Sequence, residues 1–162
     1  MAIESLHDVY VDQLKDIYSA EQQLTEALPI MVNSASDSKL KEVLQLHQNA
    51  TKSHVERVKG ILDQMYVNPG TKKCKAMQGL IEEGLETAKK KGEIASIDAG
   101  IIAAAQKIEH YEIAAYGCLR TWAQSLGRGE AASTLQSILD EEYDADDTLT
   151  ALAVSQLNQE AV

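Results

Sequence analysis

Seven ionisable side chains interrupt the apolar stripes of this chain: Glu21, His47, His54, Glu109, Glu112, Glu142 and Asp146. A carboxylate buried without a partner is costly, so a core rarely holds one idly. Several in one core need mutual compensation. A divalent metal pair supplies it, because carboxylates bridge hard cations and imidazoles complete the coordination. Glu109 and Glu112 are three residues apart, and Glu142 and Asp146 are four apart. Both spacings put the two groups on one helix face. In di-metal bundles two helices each give a Glu and the other two each give a Glu-x-x-His pair. Taken singly, each residue has an ordinary reading: a lone core histidine is more often hydrogen-bonded than metal-bound. The argument rests on the set.

The stripes that would position this set repeat at steps of three and four. A first helix is expected after Ser5, with Asp8 three residues on as a relative of the capping box. Its stripe is Tyr10, Leu14, Ile17, Glu21, Leu24 and Leu28, and Pro29 is expected to kink or shorten it. Asn33 to Ser38 reads as a turn. A second helix from about Lys39 to Met65 brings His47, Ala50, Thr51 and His54 inward, and Asn68-Pro69-Gly70 ends it. A short amphipathic segment follows, from about Ala76 to Lys90. The third long helix, about Ser96 to Leu126, carries Ile102, Ala105, Glu109, Glu112, Tyr116 and Leu119 on one face. Gly127-Arg128-Gly129 turns into a fourth, about Ala131 to Leu157. No segment alternates as a strand would. Two helical hairpins joined by one long crossover give the connectivity of a ferritin-like four-helix bundle, with a short extra helix in the crossover and all of residues 1–162 in one domain. An up-down bundle with an added helix is the alternative.

Composition narrows the function classes. The chain has 162 residues, 44% of them apolar, with no Phe and one Trp, so its core is aliphatic. The net charge of −10 repels phosphate backbones and anionic lipid, so neither nucleic acid nor membrane is an expected partner, and it suits attraction of metal cations. The N-terminus lacks a basic region followed by an apolar run, and no stretch approaches a bilayer span. The two cysteines, Cys74 and Cys118, form no metal or disulfide motif, so a cytoplasmic protein with free thiols is expected. Glu82, Glu83, Glu86, Asp140, Glu141, Asp144 and Asp147 are expected to face water. Tyr18, Tyr111 and Tyr116 lie near the acidic band, with packing as the first expectation and a hydrogen bond to a ligand as the second.

Four stretches, DIYSAEQQL (16–24), KCKAMQGLIEEG (73–84), IIAAAQKIEHYEIAAYG (101–117) and LDEEYDADDTLTALA (139–153), resemble the YciF/YciE family of bacterial ferritin-like proteins. The resemblance runs over nearly the whole chain. It implies a ferritin-like bundle, a homodimer and a link to stress responses. Similarity to rubrerythrin-type bundles implies that Glu21, Glu109, Glu112 and Glu142 are metal carboxylates, with His54 and Asp146 as further ligands of iron or manganese. Family members read His-Leu-Glu-Glu-Thr in the second helix, where this chain reads His47-Gln48-Asn49-Ala50-Thr51. Ala50 therefore stands where the resemblance expects an inward Glu.

Two functions follow as alternatives. One is a di-metal oxidoreductase acting on peroxide or dioxygen. The other is a non-catalytic stress protein with a degenerate metal site, for which Ala50 is the best support. An iron-storing cage has no identifiable assembly surface in the sequence.

Overall fold

The computed structural model of the chain describes residues 3–162. It contains α1 (Leu6–Ser34), α2 (Ser38–Gln64), α3 (Lys75–Ala88), α4 (Ile94–Ser125) and α5 (Gly129–Leu152). Beyond α5 the helix widens into a π-type turn over Ala153–Leu157 and ends in one last turn, Asn158–Glu160. A regular helix through Leu157 was the sequence expectation. The wider turn still buries Ala153 and Leu157. Among the described residues there is no strand, and no helix is long and apolar enough to cross a membrane.

Local chemistry sets the ends of the helices. Ser5 Oγ accepts from the Asp8 N–H at 3.2 Å and donates to Asp8 Oδ2 at 2.8 Å, so the two residues close the first turn of α1 on each other. Pro29 neither shortens nor ends α1, which runs on to Ser34. Ala27, Leu28 and Met31 are buried on both sides of the proline, and that packing holds the helix together across the missing N–H. Asp37 caps α2, accepting from the N–H groups of Lys39 and Leu40, both at 2.9 Å. At the end of α4, Gly127 takes φ +70°. That lets Arg128 N–H reach the Ala123 carbonyl at 2.8 Å and Gly127 N–H reach Gln124 at 3.0 Å. Such a left-handed cap suits glycine, which has no Cβ to clash.

The helices form two hairpins, α1–α2 and α4–α5, packed so that α1 meets α4 and α2 meets α5. The connection from α2 to α4 therefore crosses the bundle diagonally, as the single long crossover predicts. It carries α3, which lies against α1 and α4. The approach to α4 is close: a Cβ at Gly100 would sit 2.7 Å from Thr87 Cγ2. The core is aliphatic, with Leu14, Leu24, Leu40, Leu62, Ile101, Leu135 and Ile138 fully shielded from water. Cutting any one of these leucines to Ala would cost about 2–5 kcal/mol through lost transfer energy and an unfilled cavity.

Candidate metal centre

Midway along the bundle the apolar core is interrupted by polar groups. Glu21 comes from α1, His47 and His54 from α2, Glu109 and Glu112 from α4, and Glu142 from α5. All six are at least nine-tenths buried; His47, at 8% exposed, is the least enclosed. They converge in two groups. His47, Glu109, Glu112 and Glu142 each offer a ligand atom within 4.8 Å of the others, and so do Glu21, His54 and Glu142. Glu142 belongs to both groups.

The donor atoms point at one another rather than at donors. Glu21 Oε2, His47 Nε2, Glu109 Oε2, both Glu112 oxygens and Glu142 Oε2 are buried without a hydrogen-bond partner, while His54 Nδ1 meets Glu142 Oε1 at 3.0 Å. An unmatched buried polar atom costs about 1–3 kcal/mol, more when charged, so this concentration is far from neutral for the fold. A transition-metal ion bonds oxygen and nitrogen at roughly 2.0–2.2 Å, which brings its ligands within about 4.4 Å of one another. The residues therefore fit a divalent cation in donor type, spacing and unmet bonding.

Electrostatics agree. Burial pushes the carboxyls of Glu109 and Glu112 well above the usual range, and the neighbouring Glu142 adds to the shift of both. Burial also raises Glu21, against the pull of His54. Burial keeps His47 below its ordinary value, so its ring is neutral and has a lone pair to give. Burial works the same way on His54, but the Glu142 and Glu21 carboxylates outweigh it and hold the ring up at about 10. Its Nδ1 lies 3.0 Å from Glu142 Oε1 and 3.4 Å from Glu21 Oε1. In the protein without metal, an imidazolium thus sits among the carboxylates as an internal cation. Metal binding would have to displace its proton.

The profile of the family described as Domain of unknown function (DUF892) matches residues 5–162. This chain belongs to the DUF892 family. It is 40% identical to protein YciF of Escherichia coli (strain K12), over 99% of this chain and 98% of that protein. The crystal structure of the Escherichia coli stress protein YciF superposes with a TM-score of 0.92, covering 96% of this chain and 99% of that one. YcfI from Rhodopseudomonas palustris, proposed to be a structural protein, is 38% identical with a TM-score of 0.87, over 91% of this chain and 94% of its own. A Xanthomonas campestris protein, 22% identical with a TM-score of 0.73 over 97% and 99%, shares the fold.

In this DUF892 chain, five of the six residues singled out as ligands come together: Glu21, His54, Glu109, Glu112 and Glu142. Asp146 stands apart from them. It is half-buried one turn beyond Glu142, accepts from Gln106 Nε2 at 3.2 Å and lies 3.2 Å from His110 Nε2. His47, read from the sequence only as a neighbour, is inside the cluster, its Nδ1 3.2 Å from Glu109 Oε1. Tyr116 donates to Glu21 Oε1, the second of the two sequence expectations for the tyrosines. Tyr111 instead donates to Asp16 Oδ2 at 2.9 Å and meets Cys74 Sγ at 3.0 Å.

Glu141, expected to face water, has a different place. Its Oε2 lies 2.9 Å from His54 Nε2, and Arg57 clamps both of its oxygens, at 2.9 and 2.6 Å. Burial would raise this carboxyl, but Arg57 and His54 hold it below the usual range. A carboxylate on the outer nitrogen of an imidazole fixes the ring's tautomer and turns the inner nitrogen toward the site. The available signal was Arg57, three residues after His54 and therefore on the same face of α2.

Proposed function

We propose that this protein is a stress-associated, ferritin-like metalloprotein whose bundle holds one or two iron or manganese ions and reacts with peroxide or dioxygen. The observation that supports it best is the convergence of six unpartnered, buried ligand atoms from all four long helices. Carboxylate and imidazole donors suit iron and manganese. The similarity to YciF, described as a stress protein, supports the physiological setting.

Each residue has a definable task in this reading. Glu142 belongs to both groups and would be shared between two ions. Glu109, Glu112 and His47 complete one side, and Glu21 and His54 the other. The Tyr116 hydroxyl donates to Glu21 Oε1 and leaves Oε2 without a hydrogen-bond partner. Glu141 takes the outer N–H of His54, and Arg57 holds Glu141 in place. The aliphatic core on either side keeps bulk water out, which strengthens every charge interaction inside. When bound, a redox-active divalent ion would supply the electrons for attack on an O–O bond.

A second reading keeps the bundle and drops the chemistry: the imidazolium of His54 neutralises enough carboxylate charge for the protein to serve without a metal. The paired contacts of His54 Nδ1 with Glu21 and Glu142 favour it. One experiment separates the two. Protein expressed in iron- or manganese-replete medium is purified and its metal counted by elemental analysis, and peroxide consumption is followed with and without chelation. The first reading expects bound metal and turnover that chelation abolishes. Stoichiometric absence of both metals after careful loading would leave only the second.

A further inference from the structure

One cavity reaches the cluster from outside. It has a volume of about 190 Å³ and runs between α2 and α5. Its walls are Val43, Leu46, Ala50, Ala145 and Thr148. Exposed residues, Leu46 and Asp144 among them, mark its mouth, while the nearly fully buried His47 and Glu142 close its inner end. His47 Nε2 and Glu142 Oε2 have no hydrogen-bond partner, so the cavity ends on polar atoms that lack one. Ala50 is decisive for its width. It contributes a single methyl where any longer side chain would project between α2 and α5.

The lining selects its occupant. The carboxylates of Glu141 and Asp144 stand at the walls and mouth, and Glu142 lies at the end, so an anion meets like charge along the whole path. The wall oxygens are already engaged: Arg57 clamps both Glu141 oxygens, and the Thr148 hydroxyl donates to the Asp144 carbonyl at 2.7 Å. The rest of the wall is alkyl, which leaves little to replace the water shell of a hydrated cation. The volume equals only about six water molecules at roughly 30 Å³ each, which excludes anything the size of a lipid or a nucleotide.

We propose that this cavity is the route by which a small uncharged substrate, of the size of dioxygen, hydrogen peroxide or a short alkyl hydroperoxide, reaches His47 and Glu142, and that Ala50 sets its width. This rests on the metal reading above. Ala50 then has a positive role: its small side chain keeps the path open.

The test has a metal-free arm and a metal-loaded arm, with two plugs, Ala50→Leu from α2 and Ala145→Leu from α5. In the first arm, crystals of the metal-free protein are pressurised with xenon, which binds dry apolar cavities. An anomalous peak beside Val43, Ala50 and Ala145 is expected in the wild type and is lost in whichever plug folds. A wild type without that peak overturns the proposal. In the second arm, nitric oxide, an uncharged diatomic probe, is mixed with the ferrous-loaded protein and its binding is followed by stopped-flow absorbance and electron paramagnetic resonance. A plug at unchanged iron content should slow nitric oxide binding by about tenfold or more, because binding must then wait for the wall to move. Equal rates in plug and wild type overturn the proposal. A plug that slows iron uptake and leaves the nitric oxide rate alone also overturns it, since the cavity would then be a cation path. If the wild type takes up no iron, the metal reading fails, and the xenon arm still decides whether the cavity admits small uncharged molecules.

Discussion

Among the described residues, carboxylates are buried in two places, in opposite ways. Asp98, 2% exposed near the start of α4, accepts from the Ser36 N–H at 2.9 and 3.2 Å and from the Asp37 N–H at 2.7 Å. Its charge is met by backbone donors, and it ties the α1–α2 turn to the other hairpin. Glu112 is as deeply buried, yet neither of its oxygens has a partner. Around it stand Glu109, Glu142 and Glu21, which raise the cost of ionising it. A matched carboxylate is a joint of the fold. A set of unmatched ones facing each other destabilises the bare protein and is useful only to something positively charged. Burial alone does not tell the two apart; the partners do.

The largest expected effect breaks the second region without touching the first. Glu142→Ala removes the one residue common to both ligand groups. Metal affinity should fall by more than about 100-fold, beyond the range seen for outer-shell partners, as read by competition with a chromophoric chelator. Retention of wild-type affinity would remove Glu142 from the site.

Next in size is a pH dependence confined to the metal-free form. Glu109 and Glu112 hold their protons more tightly folded than unfolded, and so does His54, whose folded value is about 10. For such groups stability is complete below the unfolded value and is lost as pH rises through the folded one. His47 is shifted the other way, so its contribution is gained as pH rises through its unfolded value near 6.5 and is already complete above pH 7. Between pH 7 and 9 the metal-free protein should therefore lose stability by about 1.4 kcal/mol per pH unit through the His54 proton. Denaturant titration at several pH values measures this slope. His54→Gln should flatten it, and bound metal should abolish it, because metal has already displaced that proton.

Asp98→Ala attacks the matched region. It orphans two backbone N–H groups and should cost about 2 kcal/mol, equally with and without metal, while the metal content of the folded protein stays the same. A loss that depended on metal would join the two regions that the geometry separates.

The smallest effect lies between them. Glu141→Gln keeps the shape but weakens the hold on His54 Nε2, and metal affinity should drop about tenfold. Isothermal titration would show it, along with a change in the number of protons released.

Much of this was legible in the sequence. The steps of three and four placed Glu21, Glu109, Glu112 and Glu142 in the core, because a long helix has only one face to bury. Ser5 and the Gly127 turn were legible because capping chemistry is local. Asp146 shows the limit of that reasoning. Four residues overshoot a 3.6-residue turn by about 40°, enough to carry its carboxylate to Gln106 and His110 on α4. Glu141 and the cavity at Ala50 were beyond reach for a related reason. Both depend on how α2 and α5 face each other across nearly 90 residues of chain, |i−j| = 87 for His54 and Glu141, and helical periodicity says nothing about the neighbouring helix.

Asp98 also bears on the order in which the protein can assemble. The turn between α1 and α2 has its N–H groups satisfied by a side chain 61 and 62 residues further on. A nascent chain that has emerged only through α2 holds both helices of the first hairpin but lacks the acceptor that finishes their turn. That hairpin is therefore expected to fray until α4 arrives. The two halves should then become protected from hydrogen exchange together, as one kinetic unit.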